Sequence, residues 1–309
     1  MEILPGLAAI GPESEVLLSV GVFDGVHAGH RYLLKELKQR AAEQGLLSAV
    51  VTFDPHPQSV LHPHDQLLWL SDVEDRIKTI KELGIDIVAL LTFTPEIARL
   101  TAKEFIYLVK KQLKVRGIVV GPDFALGRHR EGDITVLRSL GRDMGFSVEV
   151  IPSYTVNGEV VSSTLIRRAL TEGDVRKVKR LMGHYFRLKG QVVSSDKQGR
   201  VLGYPTANLD VRPQQALPSD GTYATMTQVD GVQFLSATNV GIRPTFGEGR
   251  RRVETHLLNY KGDLYGKQIS VEFVQKLRDE RRFRSHQELK AQIEKDVREV
   301  KTILAKELE

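Results

Sequence analysis

Residues 21–30 read GVFDGVHAGH, directly after the apolar run VLLSV at 16–20. A buried strand, a glycine-bearing turn and a helix start are the plain reading of that order. His27 and His30 are three apart, so they share one face if a helix begins there. Helix N-termini present unpaired backbone N–H groups and the positive end of the helix dipole, which suits a phosphate. Two imidazoles beside it add donors for charge developing on a departing pyrophosphate. Gly25 and Gly29 would let such a ligand approach the backbone. No lysine follows the glycines, so the stretch is not a Walker A loop. A glycine-rich turn with two solvated histidines is the plainer alternative. Zinc on His27, His30, His56, His62 and His64 is another, but the later histidines sit in the proline-threaded HPHPQSVLHPH without H-E-x-x-H spacing.

Outward from this stretch the first half of the chain alternates. EVLLSVGVF, LLSAVVTF, DIVALLTF, RGIVVG and FSVEVIP read as buried strands. Between them HRYLLKELKQRAAEQG, DVEDRIKTIKELG, AKEFIYLVKKQL and ITVLRSLGRDMG read as helices. Ser71 with Glu74 and Thr101 with Glu104 have capping-box spacing, and Gly45, Gly84 and Gly145 stand at helix ends. The alternation predicts an α/β domain, a Rossmann-like parallel sheet with helices on both faces, whose ligands bind beyond the carboxyl ends of the strands. The pattern changes near residue 183. One helical stretch, STLIRRALTEGDVRKVKRLMG, leads into six short β segments at roughly ten-residue spacing, which predict a small antiparallel barrel or sandwich. A closing amphipathic helix follows Ser285 and Glu288, again at capping-box spacing. The expected domains are 1–183 (α/β) and 184–309 (all-β).

Bulk properties narrow the classes. The 309 residues are 41% hydrophobic and 27% charged, ordinary for a globular protein of two domains. No apolar run is long enough for a membrane helix, and the start MEILPGLAAIGPESE lacks a basic leader region. There is no cysteine, which removes disulfides, thiolate metal sites and thiol nucleophiles and fits a cytoplasmic location. The net charge of +5, from 44 Lys and Arg against 39 Asp and Glu, suits small anions better than nucleic acid.

Two further motifs carry chemistry. SSTLIR (162–167) opens a helix with hydroxyls and offers the planar fork of Arg167 to phosphate oxygens. In LGYPTANLD (202–210), Thr206 and Asn208 share a strand face and could help hold Mg²⁺ while phosphates and water complete its shell. Glu254, in RRVETHLLNYKGDLYG (251–266), stands on a strand with Val253 and Thr255 facing the other way, and is a candidate base for a hydroxyl nucleophile.

GVFDGVHAGH with SSTLIR resembles the HxGH nucleotidyltransferases. With TFDPHP (52–57) and GPDFALGRHREGD (121–133) between them, the set resembles the adenylyltransferase half of bacterial bifunctional riboflavin kinase/FMN adenylyltransferases. LGYPTANL, TNVGIRPTF, VETHLLN, DLYGKQISVEFVQKLRDE and RFRSHQEL resemble the riboflavin kinase half. The resemblance implies an N-terminal nucleotidyltransferase fold and a C-terminal six-stranded antiparallel β-barrel with a terminal helix. It implies that His27, His30, Ser163, Thr164 and Arg167 hold ATP, with Phe23, Asp24, Gly25 and Gly29 in the same nucleotide loop. Asp123 and Phe124 would line the FMN site. In the kinase half, Gly199, Arg200, Thr206 and Asn208 would bind nucleotide, Thr206 and Asn208 would hold Mg²⁺, Glu254 would activate the ribityl 5′-hydroxyl, and Arg278 would lie near the flavin. The implied substrates are ATP, riboflavin and FMN. The chain departs from the family where an aromatic is replaced by Leu126. It also has Ser194 and Ser195 where a histidine–glycine pair precedes Gly199 and Arg200. A serine restricts that loop if φ > 0 is needed. Two other readings therefore stand beside the bifunctional enzyme: an adenylyltransferase with an impaired kinase, and a flavin-sensing protein without turnover.

Overall fold

The computed structural model describes residues 15–64, 67–193, 203–242 and 251–308. Contacts divide the chain into two units, Met1–Ser162 and Ser163–Glu309.

In the first unit the strands are β1 (Val16–Val20), β2 (Leu47–Asp54), β3 (Ile87–Thr92), β4 (Val115–Val120) and β5 (Ser147–Val150). Between them run α1 (Ala28–Glu43), α2 (Pro57–Leu61), α3 (Val73–Glu82), α4 (Pro95–Ala98), α5 (Ala102–Gln112) and α6 (Ile134–Met144). A two-stranded hairpin, β6 (Thr155–Val156) with β7 (Glu159–Val160), closes the unit. The sheet is parallel in the order β3-β2-β1-β4-β5. Side chains alternate across β1. Val16, Leu18 and Val20 pack with Phe105, Ile106 and Leu137 of α5 and α6, whereas Leu17 packs with Leu34, Leu37 and Ile80 of α1 and α3. Helices therefore cover both faces, and β1 is apolar except for Ser19 because both of its sides are buried. The strand order reverses between β1 and β4, so the loops leaving those two strands flank the crevice where such sheets bind ligands. Those loops are GVFDGVH and GPDFALG.

The second unit begins with α7 (Ser163–Glu172) and α8 (Val175–Met182). The expected single helical stretch is broken at Gly173, whose φ of +77° ends α7, and Asp174 then caps α8 by accepting the Lys177 N–H at 2.8 Å. The barrel is built from β8 (Phe186–Val193), β9 (Ala207–Asp210), β10 (Gly221–Val229), β11 (Val232–Ile242), β12 (Arg251–Leu257) and β13 (Gln268–Arg278). It closes in the order β10-β11-β12-β9-β8-β13 with every pair antiparallel. Closure leaves no sheet edge. Ala224 and Met226 pack outward on Val300 and Leu304 of the terminal helix α9 (His286–Leu308). The alternate residues of β10 form part of a fully buried set of hydroxyls. Thr225 Oγ1 meets Ser236 Oγ and Thr238 Oγ1 at 2.7 Å each, and Thr238 Oγ1 meets Thr255 Oγ1 at 2.9 Å. Such hydroxyls are tolerated inside because each finds a partner.

Of the capping boxes, the one at Thr101 and Glu104 forms in full. Ser285 accepts the Glu288 N–H at 3.2 Å, while Glu288 reaches back to Arg284 N–H. The Ser71–Glu74 box does not form. Asp72 is the cap of α3, accepting from Asp75 N–H, because Ser71 is drawn to the 21–30 turn.

Candidate nucleotide and flavin sites

The turn after β1 is held in a conformation that a chain adopts only when its surroundings enforce it. Phe23 (φ 54°), Gly25 (φ 74°) and Val26 (φ 36°) are all left of the helical norm. Gly25 N–H donates to Ser71 Oγ at 2.9 Å. The buried Asp24 carboxylate accepts Leu70 N–H at 3.0 Å and Ser71 N–H at 3.2 Å. Asp24 thus ties the turn to the start of α3. Phe23 is buried and sets its ring edge-on to His30, centroids 5.2 Å apart.

His27 is the N-cap of α1. Its Nδ1 accepts His30 N–H at 3.2 Å, so the neutral ring carries its proton on Nε2 as a donor. The rings of His27 and His30 stack at 3.6 Å with their planes 16° apart. Burial, then the neighbouring His27, then the Arg76 guanidinium push the pKa of His30 well below the ordinary histidine value. His30 is therefore neutral at pH 7, and its buried Nδ1 has no hydrogen-bond partner among the described residues. A Cβ on Gly29 would meet the His27 ring at 3.3 Å and Val161 O at 3.4 Å. Gly29 makes room for that imidazole and carbonyl.

Across the crevice, the loop after β4 is pinned to the start of α5. Arg128 N–H donates to Leu100 O, and Glu131 Oε1 accepts Ala102 N–H. Leu126 and Gly132 exchange backbone hydrogen bonds, and Leu126 packs on the apolar core with Phe124. Asp123 is exposed, its carbonyl accepting from Arg130. Phe124 and Asp123 thus stand on a loop that is fixed at both ends. Ser163, Thr164 and Arg167 lie in the first turns of α7, in the second contact unit.

In the barrel the register gathers the expected polar residues. Glu254 on β12 is paired with Asn208 on β9 and with Asn239 on β11, so the three form a row on one face. Val253 and Thr255 are fully buried on the other face, as alternation required. A cavity of about 310 Å³ opens onto Glu254 and Asn239 of the row, lined also by Thr206, Arg278, Glu280 and Phe283 among others, while Asn208 is buried. His256 Nδ1 and Pro205 O, 2.8 Å apart, fix the segment bearing Thr206, which lies just before β9 and so does not share with Asn208 the strand expected of both. Arg278 is not loose in this cavity. Its Nη2 donates to Asp296 Oδ2 of α9 at 2.8 Å, and its guanidinium lies 5.7 Å from the Phe283 ring centroid. The Glu280 carboxylate sits where a Cβ of residue 241 would be, within 2.3 Å of that position, so Gly241 is what admits it. Burial first, then Asp220, with Glu254 also contributing, raises the Glu280 pKa. Gly199 and Arg200 lie outside the described residues, as do Ser194 and Ser195.

Sequence reasoning missed Ser71, Arg76, Asn239, Glu280 and Asp296. Arg76 had a signal: it shares the apolar stripe of α3 with Val73 and Ile80. The others become visible only through strand register or contacts distant in sequence.

The family profile described as FAD synthetase matches residues 11–165, and that described as riboflavin kinase matches residues 182–304. The chain belongs to the bifunctional riboflavin kinase/FMN adenylyltransferase family. Relatives of that name include the protein of Pseudomonas fluorescens, 37% identical over 99% of this chain and 98% of its own length. The Escherichia coli K12 protein is 37% identical over 92% of this chain and 91% of its own. For the Listeria monocytogenes protein the figures are 35%, 94% and 93%. A solved structure, "Crystal Structure of Macrolide-efflux Protein from Streptococcus pneumoniae", matches with a TM-score of 0.87 and 28% identity over 96% of both chains. Among the described residues of this chain, no helix is long and apolar enough to cross a membrane.

Proposed function

We propose that the GVFDGVHAGH turn is the adenylyl-transfer site and the barrel cavity the kinase site of a bifunctional flavin-cofactor enzyme. The enzyme phosphorylates riboflavin to FMN and joins FMN to AMP from ATP, giving FAD and pyrophosphate. The proposed functional division is 1–183 for adenylyl transfer and 184–309 for the kinase, following the composition change. Ser163, Thr164 and Arg167 are assigned to the ATP of adenylyl transfer by the family resemblance. A cytoplasmic location is part of the proposal and rests on the nucleotide substrate.

In the kinase reaction the riboflavin 5′-oxygen bonds to Pγ of ATP as the bond from Pγ to the β–γ bridging oxygen breaks. Glu254 takes the hydroxyl proton. Thr206, just before β9, and Asn208, on β9 and paired with Glu254, are neutral oxygen donors, a set that fits Mg²⁺ carried in by nucleotide phosphates. When bound, the ion supplies charge neutralisation at those phosphates. In adenylyl transfer an FMN phosphate oxygen bonds to Pα of a second ATP and the α–β bridging oxygen leaves with pyrophosphate. His27 and His30 donate hydrogen bonds to that departing charge, and no covalent enzyme intermediate is needed. Asp123 and Phe124 are assigned to FMN, and Arg278 to the flavin wall of the kinase cavity.

The observation that carries the reading is that Glu254 and Asn239, register partners on β12 and β11, line one cavity together with Thr206, which supports a working kinase over a disabled or merely sensing barrel. The test is chromatographic separation of flavins after incubation of the full chain with ATP, MgCl₂ and either riboflavin or FMN. His30→Ala is expected to abolish FAD formation and spare FMN formation. Glu254→Gln is expected to lower FMN formation by about 10²–10⁴-fold and spare FAD formation from FMN. Wild-type FMN formation in Glu254→Gln would remove Glu254 as the base.

A further inference from the structure

Arg76 is a buried cation that the chemistry above leaves without a task. Its residue is only 2% exposed, although α3 is otherwise an ordinary amphipathic helix. Nη1 donates to Val22 O at 2.8 Å and to Phe53 O at 2.9 Å, with a longer contact of 3.3 Å to Thr52 Oγ1. Thr52 Oγ1 in turn donates to the same Val22 carbonyl at 2.9 Å. Nε is buried and makes no hydrogen bond among the described residues. Its hydrogen-bond acceptors are thus carbonyls and a hydroxyl, not a carboxylate. A guanidinium taken out of water without a paired anion is costly, and a packed apolar side chain would serve stability better.

Its place in the fold suggests the compensation. Val22 and Phe53 are the residues at which β1 and β2 reach the crevice. Val22 immediately precedes the left-handed Phe23 and the turn that carries His27 and His30. One guanidinium therefore spans the carboxyl ends of two adjacent strands directly beneath the turn. The charged groups that face it are Asp24 in the turn, Asp54 at the end of β2, and Asp72 and Glu74 at the start of α3, all favouring its protonated form against burial. Asp24 is already engaged by the backbone of Leu70 and Ser71.

We propose that Arg76 is a positioning residue for adenylyl transfer, clamping the ends of β1 and β2 to hold the His27–His30 pair at the crevice while offsetting the carboxylates that face it, whose field the ATP phosphates would otherwise meet. The inference rests on the assignment of His27 and His30 to that reaction. The clamp acts through geometry, so loss of the Nη1 contacts should misplace the turn. The charge acts through the field, so a lysine should keep part of it. Facing His30 are His27 on the turn and Arg76 on α3, and both disfavour its imidazolium.

The experiment uses the full-length chain as wild type, Arg76→Gln, Arg76→Lys and His30→Ala. FAD formation from FMN is followed against ATP concentration and pH, with FMN formation from riboflavin as the internal control. Arg76→Gln is expected to lower kcat/KM for FAD formation by about 10²-fold, the scale of an ångström-level misplacement. It should raise the KM for ATP, move the acid inflection of the profile to higher pH, and leave FMN formation unchanged. Arg76→Lys should keep the wild-type inflection and most of the ATP affinity but lose kcat by at least about tenfold, since the lysine side chain ends one bond short of the Nη1 position that joins Val22 O to Phe53 O. Wild-type kcat in Arg76→Lys would overturn the clamp, and this holds even if Arg76→Gln fails to fold. A loss of kcat in Arg76→Gln with an unmoved inflection and unchanged KM for ATP would overturn the role of the charge. If His30→Ala still makes FAD, the site assignment fails instead, which is a separate outcome.

Discussion

Asp296 is the residue on which the proposed flavin wall of the barrel cavity, at Arg278, depends. Its carboxylate is almost wholly buried and accepts Arg278 Nη2 at 2.8 Å and Arg278 Nε at 3.1 Å, with Gln292 Nε2 at 2.6 Å completing its shell. Asp296→Ala would strand the guanidinium beside Phe283 without its anion. Removing one partner of a buried pair costs about 3–5 kcal/mol. The Arg278 side chain keeps 20% of its exposure, so water screens part of the loss and the low end, about 3 kcal/mol, is the expected value. For a unit of this size that corresponds to roughly 6–12 °C in Tm. Calorimetry should locate the shift, and FMN formation should show a raised KM for riboflavin with a smaller change in kcat, because the catalytic row itself is untouched. Asp296→Asn keeps the shape and one acceptor and should fall between the two. A Tm within about 2 °C of wild type together with an unchanged riboflavin KM in Asp296→Ala would refute the reasoning, since that is less than about 1 kcal/mol.

The other predictions concern the first unit. Gly127 has a φ of +78°, and a Cβ there would lie 2.5 Å from the backbone nitrogen of Ala102. Gly127→Ala should therefore displace the loop bearing Asp123 and Phe124 and weaken FAD formation, with strain of about 1–3 kcal/mol and FMN formation unaffected. His30 binds a proton less readily in the fold than in the unfolded chain, where the ordinary value of 6.5 applies. Its contribution to stability is complete above that pH and is lost as pH falls from there toward the depressed folded value. Denaturation at a series of pH values should show the stability difference between wild type and His30→Gln shrinking on acidification; a difference independent of pH would contradict this.

Much of the fold was legible because it depends on local pattern. The apolar run of β1, interrupted by Ser19 alone, announces a strand buried on both faces, and the helical periods between strands announce a parallel sheet. The six β segments after Phe186 announce a small β domain. Thr101 with Glu104 closed its capping box because both partners lie within one turn. Ser71 with Glu74 had the same spacing, yet Ser71 was taken by Gly25, a competitor 46 residues away that no local rule can see. The room that Gly29 leaves for the His27 ring is likewise visible only in the folded turn.

The sequence alone also singled out the candidate reacting groups: His27 and His30 at a helix start and Glu254 facing away from Val253 and Thr255; Thr206, expected on a strand face with Asn208, lies just before β9. The first two placements follow from periodicity, which covalent geometry sets. Only the tertiary structure decided what surrounds them. Asn239 joined Glu254 through the β11–β12 register, Asp296 reached Arg278 from the terminal helix, and Glu280 occupied the space left by Gly241. Arg76 came to lie beneath the turn because the sheet places the ends of β1 and β2 side by side. Burial, field and partner choice depend on residues far apart in the chain, and those quantities exist only once it has folded.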